Sequence, residues 1–182
     1  MNIFLKLKHW HLFLLLIGIP FFVSLIFAIS PFLDAKARSA LDLAANLIMI
    51  IPFVSYFLWI WSSGSWLSQK DNDRPVTGPY RFTLSVATSF IMFSLLLVYN
   101  FIYWENEETP ASWAYLAVGL VMFVALFTWL YALTYLAKTL VRTERKSAVR
   151  SADYFSEFIM AVFLPIGIWF LQPRINRVYE GR

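Results

Sequence analysis

Cysteine is absent from this chain, and only two of its 182 residues are histidine. The lack of cysteine excludes disulfides, thiol nucleophiles and cysteine-ligated metals. His9 and His11 are two residues apart, and on a helix this spacing turns their rings about 200° apart, which does not suit a shared metal. The sequence also has no Ser-His-Asp set, no HExxH motif and no glycine-rich phosphate loop. We therefore predict no metal, no cofactor and no enzymatic activity.

Charged residues are scarce as well. They make up 14% of the chain, against 60% hydrophobic and 19% aromatic residues, so a soluble domain of this size would lack the polar residues to cover its surface. The net charge of +4 would suggest nucleic-acid binding in a soluble protein, but the cations lie in short connections between apolar runs. We predict an integral membrane protein with no nucleic-acid partner.

Four apolar runs are long enough to cross a hydrocarbon core, which takes roughly 20 residues. They cover residues 10–33, 41–63, 83–104 and 113–137. Only helices or closed barrels satisfy backbone groups in lipid, and these runs are continuous rather than alternating. The connections are short, so consecutive helices are expected to be antiparallel neighbours. The sequence predicts an all-α, integral membrane helical bundle, with residues 1–182 in a single polytopic domain.

The first run also has a feature of secretory signals, because Lys6 and Lys8 precede it. Its apolar core is longer than the roughly 7–15 residues of a signal h-region, and Pro31 follows the nearest small-residue site. We expect an uncleaved first helix that is kinked at Pro20 or packs there against a neighbour.

A fifth apolar segment, which includes FLPIGIWFLQPRIN, leaves two topologies open. From Phe158 to Leu171 it has 14 uncharged residues, a length typical of a re-entrant or interfacial segment. Pro165 and Gly167 lie inside it, so we predict a helix break there. Extended to residues 154–172, the segment is just long enough for a fifth transmembrane helix, at the cost of drawing Glu157 toward lipid.

Charge distribution favours the re-entrant alternative. If all five segments cross, ten cations lie on the N-terminal side and five on the other; if the fifth returns, the ratio becomes thirteen to two. Positive residues concentrate on the cytoplasmic side of membrane proteins. We therefore expect four crossings, both termini in the cytoplasm, and the acidic loop at 105–108 outside.

Several polar and aromatic side chains lie within or at the ends of the apolar runs. Asn46 and Asn100 come to similar depth on antiparallel helices, so we predict an interhelical amide contact or, alternatively, a ligand or ion contact. Ser85 and Ser89 have the small-xxx-small spacing that lets another helix approach, and we predict a packing seam there. Trp59 belongs to an aromatic cluster at the inner boundary, where we expect a headgroup anchor.

Basic residues concentrate after the fourth run and in the C-terminal tail. We predict that they form one cytoplasmic face for anionic lipid headgroups or for an acidic protein partner, each contributing about 1 kcal/mol toward anionic lipid. The alternative is that they only determine topology. The candidates are Arg142, Arg145, Lys146, Arg150, Arg174 and Arg177.

The C-terminal part of the chain carries a family resemblance. The segment PIGIWFLQPRIN, the preceding LAKTL at 136–140 and the pair Asp153 and Tyr154 resemble a group of small, uncharacterised polytopic membrane proteins of Bacteroidota. The resemblance implies a bacterial inner membrane and no known activity.

These features favour a structural, assembly or accessory component of the membrane, with a membrane protein or a second copy as candidate partner. The alternative is a small transporter or channel-like protein. A transporter is expected to have a polar, ligand-sized cavity that reaches the predicted helix break or the two asparagines. An accessory protein is expected to be tightly packed, with an exposed groove of small residues.

Overall fold

A computed structural model shows an all-α chain. It describes residues 3–70, 79–106 and 112–181, and these residues contain no strand. Four helical stretches are long and apolar enough to cross a membrane, by length and composition: His9–Phe32, Ala35–Lys70, Pro79–Asn100 and Trp113–Arg145. The predicted helical bundle with four candidate spans is thereby confirmed. In chain order the elements are α1 (Ile3–Lys6), α2 (His9–Phe13), a π-helical turn (Leu14–Gly18), α3 (Ile19–Ile29), a 3-10 turn (Ser30–Phe32), α4 (Ala35–Lys70), α5 (Pro79–Asn106), α6 (Ser112–Arg145), α7 (Ser151–Val162) and α8 (Leu164–Glu180).

The first spanning stretch changes its hydrogen-bond pattern ahead of Pro20. A proline has no N–H and its ring clashes with the carbonyl four residues earlier, so a regular α-helix cannot run through it unchanged. The chain widens into the π-helical turn at Leu14–Gly18 and resumes as an α-helix at Ile19. Ser24 Oγ donates a hydrogen bond of 2.8 Å to the Pro20 carbonyl. The predicted irregularity at Pro20 thus takes the form of a π-helical turn on its N-terminal side.

Local chemistry determines where two of the long helices begin and end. Asp34 caps α4, because its carboxylate accepts the Ala37 backbone N–H at 2.8 Å, the usual arrangement at a helix N-terminus. α6 ends where Lys146 adopts a φ of 51° and its N–H donates to the Arg142 carbonyl at 2.9 Å. This left-handed residue satisfies a carbonyl of the last turn and stops the helix.

The chain divides into two compact units, Met1–Ser63 with Phe155–Arg182, and Gly64–Tyr154. Whether they act as one domain stays a prediction. In the second unit α5 packs along α6. Ser85 and Ser89 are buried there, and the hydroxyl oxygens of Ser89 and Thr128 lie 2.8 Å apart across the two helices. The predicted packing seam on α5 is therefore confirmed.

A second tight contact in the same unit involves Gly64. The ring of Phe82 stacks on the ring of Tyr135 with centroids 4.6 Å apart, and Gly64 lies against Phe82 so closely that a Cβ would meet the ring. A glycine at this point of α4 allows the helix to approach α5.

Candidate functional site

Two amide side chains of α8, Gln172 and Asn176, meet the N-terminal segment in the first unit. α1 ends at Lys6, and Lys8 is extended, with φ −70° and ψ 152°, before α2 begins at His9. This interruption removes the N–H groups that would have bonded to the carbonyls of the first turn. α8 packs against both α1 and α2, so its side chains can supply donors to these carbonyls.

Gln172 is fully buried and uses both ends of its amide. Its Nε2 lies 2.9 Å from the Phe4 carbonyl oxygen, 3.0 Å from the Leu7 carbonyl oxygen and 2.8 Å from Asn176 Oδ1. Its Oε1 accepts a hydrogen bond of 2.8 Å from Trp59 Nε1, and Asn176 Nδ2 donates to the Leu7 carbonyl at 3.1 Å. These five residues, which we call the glutamine cluster, join the N-terminal segment, α4 and α8.

The position of Trp59 corrects one sequence interpretation. Its side chain is buried, with 1% exposure, and its indole N–H donates to a residue 113 positions away. A headgroup anchor keeps its polar end at the membrane surface, so the interpretation of Trp59 as an anchor is wrong. The side-chain oxygen of Gln172, on α8, accepts the hydrogen bond that a water or a headgroup oxygen would accept at the membrane surface.

The α7–α8 segment breaks at Phe163, slightly earlier than predicted. α7 ends at Val162 and α8 begins at Leu164, with Phe163 at φ −90° and ψ 68° between them. Pro165 and Gly167 belong to the start of α8 instead of the break. A proline is favoured in the first turn of a helix because an N–H there has no intrahelical acceptor. Pro165 therefore marks where the new helix starts.

The two helices fold back on one another. Arg174 Nη1 lies 2.6 Å from Glu157 Oε1, although the residues are 17 apart in sequence. A straight helix would separate them by about 25 Å, too far for their side chains to meet. Gly167 lies directly against the Met160 carbonyl, with no room for a Cβ. α7 and α8 therefore form a helical hairpin with Phe163 at its turn, which we call the C-terminal hairpin.

The C-terminal hairpin has a buried side and an exposed side. The ring of Trp169 contacts the rings of His9 and Phe13, with centroids 4.6 and 5.6 Å away, so α8 is held on α2 by aromatic contacts as well as by the glutamine cluster. The residues on the buried side are Ala161, Ile168, Leu171 and Ile175. The large apolar residues that are exposed are Phe155, Ile159, Phe163, Ile166, Trp169 and Phe170.

The predicted lipid-contacting cations fall in both units and have different surroundings. Arg145 Nη1 pairs with Asp153 at 2.7 Å, and Arg174 pairs with Glu157. Arg142 is half-buried. Whether the six cations form one face stays a prediction. Lys146, Arg150 and Arg177 are exposed.

Asp153 orders the start of α7. Its Oδ2 accepts the Arg150 backbone N–H at 2.7 Å, and its Oδ1 accepts the Arg145 guanidinium at 2.7 Å. The bond from the Arg150 amide, followed by that from Arg145, holds the pKa of the half-buried Asp153 carboxyl below its usual value. A carboxylate in the first turn also suits the positive end of the helix dipole. Arg145 thus helps to order the connection between α6 and α7.

The two asparagines predicted to meet lie in different units. Asn46 is in the first unit and Asn100 in the second, and both are exposed. Asn100 Nδ2 donates to the Leu96 carbonyl of its own helix at 2.8 Å, so its amide has a local partner. Their contact with each other, or with a ligand or ion, stays a prediction.

Each unit has a cavity between helices with mostly apolar walls. In the second unit a cavity of about 260 Å³ lies between α5 and α6. Trp113 and Ala117 at its edge are exposed, and the α6 wall also has the small residues Ala114, Val118 and Val121. In the first unit a cavity of about 250 Å³ is lined by Leu16, Ile17, Pro20, Met49, Pro52, Phe53 and Tyr56.

The fold and the site together define an all-α protein, compatible with a membrane environment, in which amide side chains join separate helices. No protein-family model, curated protein or solved structure matches this chain.

Proposed function

We propose that this chain is a structural, assembly or accessory component of a bacterial inner membrane, without enzymatic activity. The glutamine cluster is the main support. Gln172, fully buried, has both ends of its amide bonded to protein groups, whereas a catalytic or transport site keeps such groups available to a substrate. A buried amide used in this way contributes to how the helices are held together.

The cavities also favour an accessory role over the alternative of a small transporter. Asn46, Asn100 and Gly167 are not among the residues that line the cavities described above. A solute pathway needs polar groups to replace water around the solute. The cavity between α5 and α6, with small residues on one wall and an opening to the surface, suits contact with another apolar chain.

The orientation is part of the proposal. Four crossings, with both termini in the cytoplasm, place thirteen of the fifteen cations on the inner side, in agreement with the positive-inside rule. The lipid partner proposed for this side is an anionic headgroup, and the exposed cations Lys146, Arg150 and Arg177 are the residues best placed to contact it.

Mild detergent extraction tests the accessory role. The tagged chain is cross-linked in native membranes, extracted and analysed for composition and mass. We expect a stoichiometric complex, either with a second membrane protein or with a second copy. Recovery as a single chain under several mild detergents, after cross-linking in the membrane, would contradict the proposal.

Charge reversal tests the lipid partner. Changing Lys146, Arg150 and Arg177 to glutamate is expected to reduce the anionic lipid retained after purification, and the wild-type retention should fall with added salt because exposed charges are screened. The matched control reverses Lys36 and Arg38, which are exposed at the start of α4. An equal loss in both variants would show that these three cations have no special part in lipid binding.

A further inference from the structure

We propose that the C-terminal hairpin inserts its turn into the hydrocarbon of one leaflet, where its exposed side contacts lipid acyl chains. The insertion stands on the geometry of the hairpin itself. Only its assignment to the cytoplasmic leaflet rests on the orientation proposed above.

The turn of the hairpin has an apolar surface. Phe163 and Ile166, on either side of the reversal, are 59% and 61% exposed, and no charged residue occurs from Phe158 to Leu171. Turns in water are built mainly from glycine, asparagine, aspartate, serine and proline. Exposed large apolar side chains at a turn suit hydrocarbon better than water.

Phe163, the residue at the turn, has its backbone groups bonded within the hairpin, which suits hydrocarbon. The Phe163 N–H donates to the Ile159 carbonyl at 2.9 Å. The Phe163 carbonyl accepts from the Ile166 N–H at 3.1 Å and from the Gly167 N–H at 2.9 Å. Pro165 has no N–H to satisfy. Both backbone groups of Phe163 therefore have partners within the hairpin.

The length of the hairpin fits within one leaflet. From the ion pair of Glu157 and Arg174 to Phe163, α7 rises about 9 Å and α8 about 16 Å, at 1.5 Å per residue. Half of a hydrocarbon core is about 15 Å thick. With the ion pair at the boundary of the hydrocarbon, the shorter arm, α7, limits the depth of the turn to about 9 Å, so the turn lies within one leaflet and the hairpin cannot cross the bilayer.

Lipid is the occupant that the surroundings of the hairpin favour. α8 packs against α2, which begins the spanning stretch His9–Phe32, so a bilayer around that stretch also surrounds the hairpin. Arg177 is exposed near the end of α8, beyond the ion pair, where a cation meets lipid phosphate. Apolar turn, bonded backbone and flanking cation together point to acyl chains.

Depth-dependent quenching tests the insertion. The chain has no native cysteine, so Phe163→Cys can carry a single environment-sensitive fluorophore. The labelled protein is reconstituted with phosphatidylcholine and phosphatidylglycerol brominated at a shallow or at a deep acyl position. We expect greater fluorescence loss with deep than with shallow bromine, and no loss from aqueous iodide. Ser147→Cys, exposed in the connection between α6 and α7, is the matched control and should respond only to iodide.

Two results would overturn the proposal. Quenching at Phe163→Cys by iodide and not by bromolipid would place the turn in water. Absence of both kinds of quenching, together with disulfide formation between copies at this position, would show a second copy as the occupant. Ile166→Cys, on the other side of the turn, repeats the measurement if the first variant does not fold.

Discussion

Replacing Gln172 with leucine is the most informative single change in the first unit. The substitution keeps a side chain of similar size and removes the donor and the acceptor of the glutamine cluster. Trp59 is only 1% exposed. In the Gln172→Leu variant its indole N–H loses its acceptor, the Gln172 side-chain oxygen at 2.8 Å. Its burial without a partner costs about 1–3 kcal/mol.

The Phe4 carbonyl also loses a donor, while the Leu7 carbonyl keeps its bond from Asn176 Nδ2. Because Phe4 is only half-buried, the additional cost is smaller, and we expect a total loss of about 2–4 kcal/mol in the free energy of unfolding. The assay is reversible unfolding in mixed micelles with increasing denaturing detergent.

Gln69→Leu is the matched control, because Gln69 is the other glutamine of the chain and is exposed on α4. It should change the free energy of unfolding little. Trp59→Phe should cost about 1–3 kcal/mol by itself, and the double variant with Gln172→Leu should cost less than the sum because the two side chains share one bond. Equal effects of Gln172→Leu and Gln69→Leu would refute the reasoning.

The remaining predictions concern the second unit. Gly64→Ala should lower the free energy of unfolding by about 1–3 kcal/mol, because the added methyl group would overpack against the Phe82 ring. Gly119→Ala is the control and should not destabilise the protein, because a Cβ there meets nothing within 4 Å. Equal destabilisation by the two substitutions would contradict the close packing at Gly64. Ser89→Ala should cost about 0.6–1.7 kcal/mol through the lost contact with Thr128, measured by the same unfolding assay, and an unchanged stability would show that the hydroxyl pair contributes nothing. The pKa of Asp153 is lowered by its hydrogen bonds, so its charged form stabilises the start of α7 above the ordinary carboxyl pKa, and this contribution should disappear as pH falls through the lowered pKa. Amide hydrogen exchange in α7 should show that pH dependence in the wild type and not in Asp153→Asn; the same dependence in both would rule out this carboxylate as its source.

The four candidate spans could be predicted from sequence because apolar length alone identifies them. The position of the hairpin break was predicted less accurately. A proline can either interrupt a helix or stand in its first turn, so Pro165 alone does not locate the break. The backbone shows that the reversal is at Phe163. The glutamine cluster was missed because Trp59 and Gln172 are 113 residues apart. The signal available in the sequence was Gln172 itself, an amide at the end of an apolar segment with Asn176 four residues later.

Topology labelling tests the central claim, that the chain crosses four times and that the C-terminal hairpin returns to the side it entered. Single cysteines are introduced by Asn106→Cys, Ser147→Cys and Glu180→Cys, and intact cells are treated with a membrane-impermeant thiol reagent. We expect labelling of Asn106→Cys in intact cells, and labelling of Ser147→Cys and Glu180→Cys only after the inner membrane is opened. Labelling of Glu180→Cys together with Asn106→Cys in intact cells would mean five full crossings and would contradict the account.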